Sequence, residues 1–91
     1  MNLKLHLTEA ISDVLSALEF PKIYISIENP KNPNFGDFSC NIALMLSKQI
    51  NQNPIKIAER IKGKLDLNPK WVSHVNVTPP GFLNFKGSIE Y

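Results

Sequence analysis

Leu3, Leu7, Ala10, Ile11, Val14, Leu15 and Leu18 recur at helical spacing, with Glu9, Ser12, Asp13 and Ser16 between them. The spacing predicts an amphipathic helix over residues 2–19, ended by Pro21, which cannot continue a helical hydrogen-bond ladder. The period then shortens. In KIYISIE, Ile23, Ile25 and Ile27 alternate with Tyr24, Ser26 and Glu28, the pattern of a half-buried strand. Two Asn-Pro pairs and a glycine mark the following NPKNPNFG as an ordered loop.

Helical spacing returns with Phe38, Ile42, Met45, Leu46 and Gln49. Asp37 stands where an N-cap carboxylate would accept free backbone N–H groups, Gly36 would permit the sharp turn before it, and Asn41 would tie the loop to the helix start through its amide. A further helix is predicted from Asn53 as N-cap and Pro54 as first residue, with Ile55, Ala58, Ile61 and Leu65 inward and Lys56, Glu59, Arg60 and Lys62 outward. Asn68-Pro69 stops it. Val75 and Val77 then alternate with His74, Asn76 and Thr78, Pro79-Pro80-Gly81 breaks the run, and Leu83 and Phe85 alternate with Phe82, Asn84 and Lys86. The order α-β-α-α-β-β predicts an α+β fold: a small, mostly antiparallel sheet of about three strands with helices packed on one face. With no repeat or linker, residues 1–91 read as one domain.

Composition narrows what such a domain can do. A chain of 91 residues, 43% hydrophobic and 20% charged, can bury one core but not a large cofactor cradle as well. No apolar run approaches the roughly 18 residues that span a bilayer, and the N-terminus lacks a signal-type apolar block, so the expected location is intracellular, with no membrane partner. One cysteine excludes an internal disulfide, and Cys40 with His6 and His74 matches no zinc spacing. The net charge of +2 divides unevenly: residues 1–45 hold three lysines against five acids, whereas residues 46–91 hold six lysines and Arg60 against three. The second half is therefore compatible with a phosphate-rich partner.

The chemistry-bearing residues separate into two groups. A cysteine nucleophile needs a base, and neither histidine lies near Cys40 in sequence, so Cys40 reads as a small buried helix residue and Asp37 as a cap; no catalytic residue is predicted. A hydrolase built on Asp37 and His74 is a remote alternative. The far face of the sheet is more informative. If the strands share one sheet, Tyr24, Ser26, His74, Asn76, Thr78, Phe82, Asn84 and Lys86 all face outward. Aromatic rings beside amides and a lysine can stack and hydrogen-bond looped RNA bases, at roughly 1 to 3 kcal/mol per stacked base. Alternatively a further helix covers Tyr24 and Phe82, or the exposed helix residues Lys56, Glu59, Arg60 and Lys64 serve a protein partner.

Three stretches in order, NPNFGDFSCNIALMLSK, NPIKIAERI and VNVTPPGFLNF, resemble the N-terminal additional domain of arginyl-tRNA synthetase across residues 1 to about 86. The resemblance implies a cytoplasmic enzyme that activates arginine with ATP and magnesium and transfers it to the 3′ end of its tRNA, with this domain docking on the D-loop. It implies that Phe82 stacks on a D-loop base and that Asn84 hydrogen-bonds it; Asn76, Thr78, Tyr24 and Lys86, which the alternation turns to the same side, complete the expected RNA-binding face. Gly36, Asp37, Asn41, Pro54 and Gly81 match its structural motif positions. The catalytic domain's His-x-Gly-His sequence is absent, so the chain is expected to be an excised domain, or a free-standing relative, that holds no cofactor and catalyses nothing alone.

Overall fold

A computed structural model describes residues 3–30 and 36–87. Helix α1 spans Leu3–Ala17, strand β1 Ile27–Glu28, β2 Phe38–Cys40, helix α2 Ile42–Ile50, α3 Pro54–Lys64, and strands β3 and β4 Val72–Thr78 and Phe82–Gly87. The four strands form one sheet in the order β1-β2-β4-β3, every pair antiparallel. This is the expected α+β fold with one strand more than anticipated. Leu7, Ile11 and Leu15 of α1, Ile42 and Leu46 of α2, and Ile57 and Ile61 of α3 close over Leu83 and Phe85 of the central strand β4.

The extra strand is β2. Phe38 and Cys40 satisfy period two as well as Phe38 and Ile42 satisfy the helical period, and the strand wins because it completes a ladder: Phe38 lies opposite Phe85, Ser39 opposite Asn84 and Cys40 opposite Leu83. Helix α2 therefore starts four residues later than the pattern suggested, and Met45, expected in the core, is 43% exposed. The segment before β1 keeps its alternating burial, but only Ile27 and Glu28 join the ladder.

Asp37 is not a helix cap. Its N–H donates to the Phe85 carbonyl at 2.9 Å, its Oδ2 accepts from the Gly87 N–H at 2.8 Å, and its Oδ1 lies 3.7 Å from Lys86 Nζ. The carboxylate thus clamps β2 onto β4. Asn41 holds the N-cap position of α2 but makes no side-chain cap hydrogen bond. The tie between chain segments that was expected of its amide comes instead from Asn29, whose Nδ2 donates to the Asp37 carbonyl at 3.0 Å. Residues 31–35 of the predicted loop lie outside the described residues.

The cap of α3 is as expected. Asn53 Oδ1 accepts from the N–H groups of Ile55 and Lys56 at 2.8 and 3.3 Å, and Pro54 opens the helix. Helix α1 ends before Pro21: Glu19 turns left-handed at φ 59°, and the Phe20 N–H closes on the Leu15 carbonyl at 2.9 Å.

Two glycines sit where no side chain fits. A Cβ on Gly36, at φ 92°, would lie 2.7 Å from the Phe85 carbonyl oxygen, and one on Gly81 would lie 2.8 Å from Pro54 Cβ. Gly81 follows the cis Pro79-Pro80 bond in the β3–β4 turn, so the turn rests directly on the first residue of α3.

Removing the carboxylate in Asp37→Ala should cost about 1 to 3 kcal/mol, the range for a partly buried hydrogen bond to a charged acceptor. Asn53→Ala should cost about 0.5 to 2 kcal/mol through the lost cap. Urea unfolding of each variant measures both. Hydrogen exchange separates them, since Asp37→Ala should expose β2–β4 amides while Asn53→Ala frays only the first turn of α3.

Candidate nucleic-acid interface

The ladder sorts the strand residues by face. Ile27, Phe38, Cys40, Val75, Val77, Leu83 and Phe85 lie toward the helices. The opposite, open face carries Glu28, Ser39, Asn84 and Asn76 in one row across all four strands, Phe82 opposite Thr78 in the next, and Lys86 opposite His74 on the other side. Of the residues expected on one face, His74, Asn76, Thr78, Phe82, Asn84 and Lys86 share it, whereas Ser26 precedes β1 and lies outside the ladder. Tyr24, 84% exposed, lies on the extended segment ahead of β1 and outside the ladder.

One residue departs from the expected exposure. Asn84 is 5% exposed, the one buried polar residue among those described, although it faces away from the helices. Its neighbours explain this. Pro30, Ser39, Thr78, Pro79 and Phe82 surround it and form with it a cavity of about 250 Å³. Asn84 Nδ2 donates to Thr78 Oγ1 at 2.8 Å, which fixes the amide while its carbonyl oxygen keeps accepting capacity. Phe82 is half-buried and supplies an aromatic wall. The cavity is smaller than the roughly 300 to 1,000 Å³ of drug-sized ligand sites and suits one flat heterocycle.

Pattern reasoning brought Phe82, Asn84 and Thr78 to one place, but missed Pro30 and Ser39. Ser39 belongs to the strand that was read as helix, and Pro30 gave no signal of its position in sequence. Asn76 adjoins Asn84 in the ladder and is exposed. Lys86 is exposed on the same face and paired with Asp37.

The alternative chemistry does not assemble. Both carboxylate oxygens of Asp37 are engaged by Gly87 and Lys86, while His74 Nδ1 lies 3.0 Å from Ser73 Oγ. His6 accepts from the Asn68 N–H at 3.4 Å and meets Trp71 edge-on at 5.0 Å, so it packs α1 against the chain after α3. Cys40, on the helix side of β2, is 2% exposed. Burial pushes its thiol from the ordinary 9.0 up to about 11; the Ile42 backbone N–H opposes that shift and the Glu28 charge adds to it. A thiol held protonated this strongly is a packing group. No described helix is long and apolar enough to cross a membrane.

The raised thiol pKa makes stability fall in alkali. Below pH 9 the thiol is protonated whether the chain is folded or not; above it the unfolded chain loses the proton while the folded chain keeps it until about pH 11. Stability should therefore drop between pH 9 and 11. Against Cys40→Ala, which lacks this titration, the parent should lose about 2 kcal/mol from pH 8 to 11 in urea unfolding, since a tenfold difference in proton affinity between the folded and unfolded chain is worth about 1.4 kcal/mol.

Residues 1–86 match the family described as Arginyl tRNA synthetase N terminal domain. An arginine–tRNA ligase from Prosthecochloris aestuarii is 49% identical over 70 residues, which are 77% of this chain and 12% of that protein. One from Oleidesulfovibrio alaskensis is 40% identical over 85 residues, 92% of this chain and 15% of that one. Among solved structures, the Thermus thermophilus arginyl-tRNA synthetase superposes with a TM-score of 0.81 at 28% identity, over 94% of this chain and 14% of that one. The Plasmodium falciparum enzyme shares the fold, with a TM-score of 0.68 at 24% identity over 91% of this chain and 16% of that one. The chain thus spans about one seventh of the proteins it matches.

Proposed function

The chain belongs to the arginyl tRNA synthetase N terminal domain family, and from that premise we propose that it is the tRNA-recognition part of an arginine–tRNA ligase, holding one base of the tRNA D-loop in the cavity between Phe82 and Asn84. The observation that carries this reading is Asn84. A buried amide on the uncovered face of a sheet, fixed by Thr78 and walled by an aromatic ring, has unused hydrogen-bonding capacity beside a space for one ring. A base flipped out of a loop offers a stacking face and a polar edge, the two features such a site can meet. Asn76, Lys86 and the outlying Tyr24 would contact the flanking nucleotides.

In this reading the domain contributes position. Arginine activation with ATP and magnesium, and transfer to the tRNA 3′ end, belong to the catalytic domain of the synthetase, in the cytoplasm. Binding a base remote from the reacting ends aligns the tRNA on the enzyme, and such remote contacts act on kcat/KM. This stretch contains no glycine-rich phosphate loop of its own.

In the full-length synthetase carrying this domain, Phe82→Ala should lower aminoacylation kcat/KM by about 5- to 150-fold, the equivalent of roughly 1 to 3 kcal/mol for one stacked base. Asn84→Ala should lower it too, and both losses should shrink on tRNA whose D-loop base is already altered. If folded variants match the parent on intact tRNA, the open face is not the recognition surface. The 91-residue chain by itself should show no arginine-dependent ATP–pyrophosphate exchange.

A further inference from the structure

The open sheet face is poorly charged for a nucleic-acid partner. Its four paired strands carry one carboxylate, Glu28, and one lysine, Lys86, which Asp37, the residue before β2, already pairs. The cations are elsewhere. Helix α3 exposes Lys56, Arg60, Lys62 and Lys64, none of which has a carboxylate within ion-pair distance among the described residues. Lys56, Arg60 and Lys64 recur every four residues and so form one ridge along the helix, roughly 12 Å long at 1.5 Å per residue.

Three features of the ridge go beyond scattered surface charge. The Arg60 guanidinium lies 5.0 Å from the centre of the Phe20 ring, and a guanidinium placed against an aromatic ring can still offer N–H groups to a phosphate. Gly63 lies on the same exposed side with nothing within 4 Å of a Cβ there and no left-handed backbone to require it. A glycine in that position weakens the helix and gains no packing, but lets a partner approach the backbone. Finally, the N-terminus of α3 abuts the rim of the base cavity, because Gly81, which precedes Phe82, rests on Pro54.

We propose that the Lys56–Arg60–Lys64 ridge of α3 binds the sugar-phosphate backbone of the tRNA, supplying the sequence-independent attraction that the base cavity lacks. The proposal goes beyond the base-binding reading and rests on it only for the identity of the partner. Lys64 is the weakest member, since it shares a cleft with Asp13 and Asp66.

The test is the salt dependence of tRNA binding by the full-length synthetase carrying this domain, measured by filter binding between about 50 and 200 mM KCl. Replacing all three cations by glutamine should reduce the slope of log K against log salt by about 2.5, since each phosphate contact contributes about 0.7 to 0.9. It should weaken binding equally for intact and D-loop-altered tRNA. Lys56→Gln with Lys64→Gln, which keeps the Arg60–Phe20 contact, should reduce the slope by about 1.5 and guards against a folding artefact. Phe82→Ala should leave the slope unchanged and lose the discrimination between the two tRNAs. Slopes equal to the parent's in both glutamine variants would overturn the proposal, and that is the result expected if the ridge serves an acidic protein instead. A changed slope together with no effect of Phe82→Ala would sustain the ridge and reject the cavity, so the two readings fail separately.

Discussion

The pairing of β2 with β4 is the contact on which the rest of the structure depends. It is made by three residues on each strand and held at one end by Asp37, which takes the Gly87 N–H on its carboxylate and gives its own N–H to Phe85. The approach is close enough that Gly36 has no room for a Cβ. Without this pairing the sheet would shrink to the β3–β4 hairpin, which would then depend on the helices alone for its stability, since two-stranded hairpins are marginal in water by themselves. Only Asn41 separates β2 from α2, so the clamp also places the helix whose Ile42 and Leu46 cover Leu83 and Phe85. The same clamp raises Ser39 as the cavity wall beside Asn84. Core and candidate site thus hang from one interaction.

A second contact, Gly81 on Pro54, works at the other end of β4. It joins the turn that begins β4 to the helix that carries the cations, so Phe82 has no freedom to swing with a loose hairpin tip. Strand and turn are both anchored. A binding site built on such elements is held near its productive geometry before the ligand arrives, which lowers the ordering cost of binding. Asn84 follows the same logic. Its N–H donates to the Thr78 hydroxyl, and among the described residues no buried side-chain nitrogen or oxygen lacks a partner, so the amide is fixed beside the cavity at no cost in unsatisfied polar groups.

What could be read from the sequence follows from how much chain each pattern had to work with. Helices α1 and α3 each repeat their apolar stripe over about three turns or more, and Asn53-Pro54 is a start signal with one meaning, so both helices were legible, although α3 buries Ile57 where the pattern pointed to Ile55. The alternation in β3 and β4 was legible too, and with it the face on which Phe82, Asn84 and Thr78 lie. Strand β2 was not, because three residues fit either period and the choice is made by β4, more than forty positions away. The misreading of Asp37 follows from the same cause: once residues 38–40 are taken as helix, an acid before them can only look like a cap. The burial of Asn84 was illegible for a different reason, since alternation gives a direction and says nothing of Pro30 or Pro79 closing over it.

The separation of charge from the base-sized cavity follows from the fold itself. In a two-layer domain the open sheet face is the place for a rigid row of short polar side chains, because strands hold neighbours at fixed spacing and point them one way. It is a poor place for long cations, whose positions would stay undefined above the cavity. A surface helix is the reverse: it spaces long side chains along a ridge and lets them reach. One ring and one amide can discriminate between bases but supply little attraction at a distance, whereas cations attract phosphates without regard to sequence. The basic second half of the chain thus places Lys56, Arg60, Lys62 and Lys64 on α3 and the cavity residues Phe82 and Asn84 on β4, and each element carries the side chains its geometry can use.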